Sequence, residues 1–174
     1  MGYNITTLRN LPQHLGYYFF LIGDYRNESP MNDLFRNNFD QIAERLGEDA
    51  AIIKQTQKSR IEDELREAIY KRAIDRGSEI SNLLECLGLE YPGLLITKKH
   101  PNLLTEKDAM IHIPFNVLEE VYKDRSNDLL RDLVMLARGR DDLIKVVSKK
   151  RRITSKIKRG LGVNVGFFSW NWPT

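Results

Sequence analysis

The sequence predicts an α/β protein whose mixed sheet lies between layers of helices. Three observations carry that prediction. Apolar runs of strand length alternate with segments whose apolar residues recur every three or four positions, the period of a helix. The run Tyr17–Ile22, YYFFLI, shows no polar alternation, as expected of a central strand covered on both faces. The last two strand-like runs are separated only by KKHPNLLTEKD, too short for a helical crossover, so they pair as antiparallel neighbours.

Taken in order, residues 1–16 contain Pro12 and Gly16 with weak patterning and read as an N-terminal arm or a short edge element. Tyr17–Ile22 is the first clear strand. Ser29 before Pro30 starts a helix, because the hydroxyl caps a free N–H while proline loses no bond at the first position. Met31, Leu34, Phe35, Phe39, Ile42, Ala43 and Leu46 then mark one face of a single long helix that Gly47 ends. Ala50–Lys54 is a short second strand. Ser59 with Glu62 forms a capping box for a second helix whose buried stripe is Ile61, Leu65, Ala68, Ile69 and Ile74. A short third helix carries Ile80, Leu83, Leu84 and Leu87. Gly93–Lys98 and Ala109–Pro114 form the closing antiparallel pair. Asn116 with Glu119 opens another helix, and the polar stretch Lys123–Asp128 either kinks it or splits it before Leu129, Leu130, Leu133, Val134 and Leu136 continue. Asp141–Ser148 reads as helical and runs into the tail. The order is β-α-β-α(α)-β-β-α, with a helical extension and a basic, aromatic C-terminal tail; the alternation argues for parallel pairing in the first part.

Composition narrows the class. With 174 residues, 41% hydrophobic and 29% charged, the chain can bury a core and looks globular. No apolar run reaches the roughly 18 residues of a spanning helix. The start MGYNITTLRN lacks the charged-then-apolar order of a signal peptide, and the single Cys86 cannot form an internal disulfide. Both argue for a cytoplasmic protein, which makes the sequons at Asn4 and Asn27 chance matches. The net charge of +3 hides an asymmetry: residues 145–160 hold eight basic and no acidic groups, whereas residues 1–144 hold 19 basic and 24 acidic ones and sum to −5. A mildly acidic body thus carries a basic tail.

Over roughly residues 17–123 the chain resembles the thioredoxin-like fold. Tyr91-Pro92 stands just before the third of the strands counted from Tyr17, where that fold typically places a cis-proline facing the active site. GDYRNESPM follows the first of them, where redox members carry Cys-x-x-Cys at a helix start. Both cysteines are absent from the corresponding Asn27–Met31. Dithiol exchange needs a thiolate at the helix N-terminus and usually a second, resolving thiol, so the resemblance implies a divergent, redox-inactive member. It implies a division into an arm (1–16), a three-layer thioredoxin-like domain (17–138), and a helical extension with its tail (139–174).

Candidate chemistry is sparse. Asp24, Arg26, Glu28 and Ser29 lie beside a helix N-terminus, a setting that binds anions, and with Pro92 they form the candidate binding loop. Ser29 is also an ordinary cap. Cys86 lies near a helix C-terminus among leucines and reads as a small core residue. His14, His100 and His112 show no metal-ligand spacing, and no phosphate loop, nucleophile elbow or zinc-protease motif is present. The sequence therefore points to no metal, cofactor or catalytic residue.

The tail is the least average stretch. Lys149, Lys150, Arg151, Arg152, Lys156, Lys158 and Arg159 precede Phe167, Phe168, Trp170 and Trp172. Such a segment suits a protein partner or a second copy, since VNVGFFSW alternates enough to pair with a sheet edge. It also suits nucleic acid through phosphates and stacking, or an anionic membrane surface over residues 145–172. A solvated charge run with aromatics folded back on the body is the plainest reading. The leading expectation is a non-enzymatic interaction module that engages a protein partner through its tail. Nucleic-acid or membrane binding by the tail is the first alternative, and an enzyme using Asp24–Ser29 or Cys86 the second.

Overall fold

The strand and helix periods sort their residues onto two faces of one sheet. The computed structural model describes residues 1–23, 29–55, 60–74, 92–104, 108, 110–140, 143, 145 and 169–170, with the backbone alone for 69–74 and 169–170. The strands are β1 (Gly2–Ile5), β2 (Tyr17–Ile22), β3 (Ala50–Gln55), β4 (Gly93–Thr97), β5 (Met110–Pro114) and β6 (Ser169–Trp170). The helices are α1 (Pro30–Asn37), α2 (Phe39–Leu46), α3 (Ile61–Ile74), α4 (Phe115–Tyr122) and α5 (Ser126–Ala137). The sheet order is β1-β3-β2-β4-β5-β6. β3 pairs in parallel with both β1 and β2, while β2 with β4, β4 with β5, and β5 with β6 are antiparallel.

Successive residues of a strand point to opposite faces, and two cores follow from that. Phe19, Leu21, Ala50, Ile52, Leu94, Ile96, Ile111 and Ile113 turn to the face covered by α1, α2, α4 and α5, where Met31, Phe35, Ile42, Leu118, Leu129 and Leu133 meet them. Tyr18, Phe20, Ile22, Ala51, Ile53, Leu95 and Met110 turn to the other face, covered by Ile61 and Leu65 of α3 and by Leu8, Leu11 and Leu15 of the arm. β2 is buried from Tyr18 to Ile22, as its lack of alternation predicts.

The arm does more than lead into β2. It supplies edge strand β1 and a 3-10 turn, Leu8–Asn10, that two side chains fasten. Glu64 of α3 accepts bonds from the Thr7 hydroxyl and the Leu8 N–H, at 2.8 and 2.6 Å. Buried His100 sits 3.1 Å from the Leu8 carbonyl through Nε2 and accepts from the Asn102 N–H through Nδ1. With Nδ1 an acceptor, Nε2 carries the proton and donates.

The long helix expected over 30–46 is two helices. Asn38 leaves helical geometry at φ −110° and ψ 12°, and its side-chain nitrogen donates to the Leu34 carbonyl at 2.8 Å. An asparagine side chain that bonds backbone locally competes with the helix ladder, and here it marks the break. α4 begins at Phe115 with Pro114, not Asn116, at its N-cap position, and the Phe115 N–H, which a first helical residue leaves free, bonds the Pro92 carbonyl. The polar stretch after Tyr122 splits the helices, with Asp124 at φ 58° in the left-handed region.

Across that split, the buried Tyr122 hydroxyl donates to Asp132 Oδ2 at 2.9 Å. Asp132 also takes the Arg131 guanidinium, and Arg131 pairs with Asp128 at 3.1 Å. Burial first, and then the bond to Asp132, hold the Tyr122 phenol above its ordinary value of 10.0; burial also raises Tyr18. The folded state thus keeps phenol protons that the unfolded chain releases above about pH 10, so stability should fall as pH rises through that region. Urea midpoints between pH 8 and 11.5 should show this decline, and in Tyr122→Phe the decline should be shallower. At neutral pH that substitution should cost about 1–3 kcal/mol, because Asp132 loses a buried donor. A Tyr122→Phe curve parallel to the parent's at alkaline pH would remove Tyr122 as its source.

Candidate functional site

Two places follow from the sheet: the carboxyl ends of β2 and β3, and the outer edge of β5.

At the first, Gly23 ends β2 at φ 68°, a conformation that suits glycine. A β-carbon there would lie 3.3 Å from Pro92, so Pro92 closes on the residue that leads into the candidate loop. The Gly23 N–H donates to Glu62 Oε1 at 2.8 Å, and the Gln55 side-chain nitrogen donates to the same oxygen at 3.0 Å and to the Leu21 carbonyl at 3.3 Å. Gln55 is buried, and its side-chain oxygen has no hydrogen-bond partner among the described residues. This network ties β2, β3 and α3 together at Gly23. Sequence reasoning gave Glu62 a capping role and read Gln55 as the residue just past a strand. The only available signal was a glutamine directly after AAIIK.

Ser29 does cap α1. Its hydroxyl accepts the Asn32 N–H at 3.1 Å and its carbonyl the Asp33 N–H at 3.0 Å. Asp24, Arg26 and Glu28 lie outside the described residues, as do Tyr91, which forms the bond into Pro92, and Cys86 with the short helix expected around it. Of the histidines, His14 is exposed on the arm, His100 is the buried clamp of Leu8, and His112 is buried on β5. A β-carbon on Gly93 would come within 2.5 Å of His112 Nε2, so the imidazole lies against the glycine's bare backbone. Among the described residues no group of three or more His, Cys, Asp or Glu is placed to hold a metal ion.

The second place involves the tail. Lys149, Lys150, Arg151, Arg152, Lys156, Lys158, Arg159, Phe167, Phe168 and Trp172 lie outside the described residues, but the backbone of Ser169–Trp170 forms β6. Met110 pairs with Trp170 and Ile111 with Ser169, antiparallel. The tail therefore contributes a strand to the body's own sheet, at the edge opposite β1. Both faces of β5 are covered, since Met110, Ile111, His112 and Ile113 are all buried. What β5 offers at its side is backbone.

Neither a protein-family model nor a curated protein nor a solved structure matches the chain. Function has to be argued from this geometry. Among the described residues no helix is long and apolar enough to cross a membrane.

Proposed function

We propose that the chain is a redox-inactive, thioredoxin-like interaction module that engages a protein partner through its C-terminal tail. Support for the fold reading comes from the element order after the arm: strand, split helix, strand, helix, two antiparallel strands and a helix. The position after β2 that holds thiols in redox members holds Asn27–Met31 here, and Ser29 is engaged as a cap. Without a thiolate at that helix start, dithiol exchange has no nucleophile.

The single observation that carries the functional part is β6. A segment that follows eight basic residues pairs by backbone with the outer side of β5, and strand addition is a general mode of peptide recognition. The acidic sum of residues 1–144 opposes phosphates everywhere outside the tail, which favours a protein partner over general nucleic-acid coating.

Deleting residues 149–174 should abolish capture of the partner while the body stays folded. Pull-downs with the full and the shortened chain, followed by far-ultraviolet circular dichroism, check this. Undiminished capture by the shortened chain would sink the reading. Retention on heparin or on phosphatidylserine vesicles that vanishes steeply with salt, with no protein captured, would transfer the tail to polyanion binding.

A further inference from the structure

The outer side of β5 has a definable length and direction. The Phe115 N–H bonds the Pro92 carbonyl at 3.0 Å, and Phe115 follows in register after the Pro114–Gly93 pair. In an antiparallel ladder bonded and non-bonded pairs alternate, so Ile111 and Ile113 also aim their backbone groups at β4. Met110, His112 and Pro114 then aim theirs outward. Met110 is the residue in register with Trp170. Pro114 has no N–H, so the outward row of donors stops before it, and proline on an edge strand limits how far a ladder can extend. The edge is thus a short row of main-chain groups between Met110 and Pro114, closed at one end and flanked by buried side chains.

What sits on this edge indicates what it accepts. The occupant comes from a segment with eight positive charges in residues 145–160, followed by Phe167, Phe168, Trp170 and Trp172, and it meets a body that sums to −5. Charge complementarity favours a strand with a cationic flank over a neutral or acidic one. The tie is long: 23 residues separate Lys145 from Ser169. A tethered strand competes at an effective concentration on the order of millimolar, so a free strand of the same chemistry binds only weakly while the tether holds. Here Ser169–Trp170 fill the edge in cis.

We propose that the outer edge of β5 is a strand-acceptor site for an extended partner peptide with a cationic flank followed by an aromatic strand, and that Ser169–Trp170 fills it until such a peptide displaces them. This rests on the reading of the tail as an interaction element and adds the surface on which exchange occurs.

The test uses the full chain with Trp170→Pro, which removes the N–H opposite the Met110 carbonyl and leaves the body unchanged. The probe is a fluorescent peptide with the sequence of residues 156–172. Fluorescence anisotropy should show it binding the variant about tenfold or more tighter than the parent chain, because the cis competitor is disabled. Amide exchange at Met110 should be slow in the parent, fast in the variant, and slow again once peptide is added. The same peptide with proline at the position of Trp170 should not bind. Equal affinity for the two proteins, or a proline peptide that binds as well as its parent, would overturn the site. Self-association of the variant without peptide binding would also overturn it, since the occupant would then be a second copy. If peptide exchange fails while deletion of residues 149–174 still abolishes partner capture, the tail keeps its role and only the acceptor site is lost.

Discussion

Replacing Phe35 by alanine should destabilise the protein by about 3–5 kcal/mol, among the largest effects a single truncation has in a packed core. Phe35 is fully buried at the centre of α1 and its ring lies 5.7 Å from that of Phe115, tilted by 31°. The pair joins α1 to α4 over the sheet, in the core that also holds Phe19, Leu21, Leu94 and Ile113. Removing the ring loses its transfer energy and leaves a void. Two helices and a sheet frame that void and cannot all move in to fill it, so the cavity cost adds. For a chain of this size the thermal midpoint should fall by about 6–20 °C. Urea denaturation should show a lower midpoint with unchanged slope. Leu103→Ala, at a residue 47% exposed, provides the contrast and should stay within about 0.5 kcal/mol. A loss below about 1.5 kcal/mol for Phe35→Ala would mean that α1 and α4 do not share this core.

Much of this core was legible in the sequence, for physical reasons. YYFFLI has no polar residue to turn outward, so burial on both faces followed, and the observed strand has the expected bounds. Ser29-Pro30 carries its own start signal, and Ser29 caps as its chemistry requires. The break at Asn38 was not legible, because the apolar spacing from Met31 to Leu46 stays helical across it and the break is marked only by the Asn38 backbone angles and its local side-chain bond to Leu34. The weakly patterned arm allowed a short edge element, which β1 is, but its parallel pairing beside β3 was not legible, since a four-residue edge strand carries almost no period.

The candidate site divides in the same way. The alternation in VNVGFFSW suggested a strand, yet composition gives a strand no address; the place beside β5 comes from register alone. The link from Gln55 to Glu62 and Gly23 is long-range and polar, so no local pattern announced it. The candidate loop follows Gly23 at the carboxyl end of β2. Its described members, Ser29 and Pro92, turn out to be a helix cap and a packing partner of Gly23.

Gly93→Ala should be the other severe substitution, at about 3 kcal/mol or more, the upper part of the range for overpacking. A β-carbon at Gly93 would lie 2.5 Å from His112 Nε2, 2.6 Å from the Ile113 carbonyl oxygen and 2.9 Å from Pro114 Cα. A ring can turn aside, but two of these three contacts are main chain of the neighbouring strand. Relief therefore requires β4 and β5 to part where Gly93 pairs with Pro114. That movement reaches the site, because β5 is also the strand that receives β6. The variant should lose stability to urea and should also lose amide protection at Met110, the residue paired with Trp170. Gly23→Ala separates the two effects: its β-carbon would meet Pro92 at 3.3 Å in a left-handed backbone, costing about 1–2 kcal/mol, without a clash against β5. If Gly93→Ala destabilises the chain while Met110 stays as protected as in Gly23→Ala, the strain is absorbed by His112 alone and the position of β5 does not depend on that glycine.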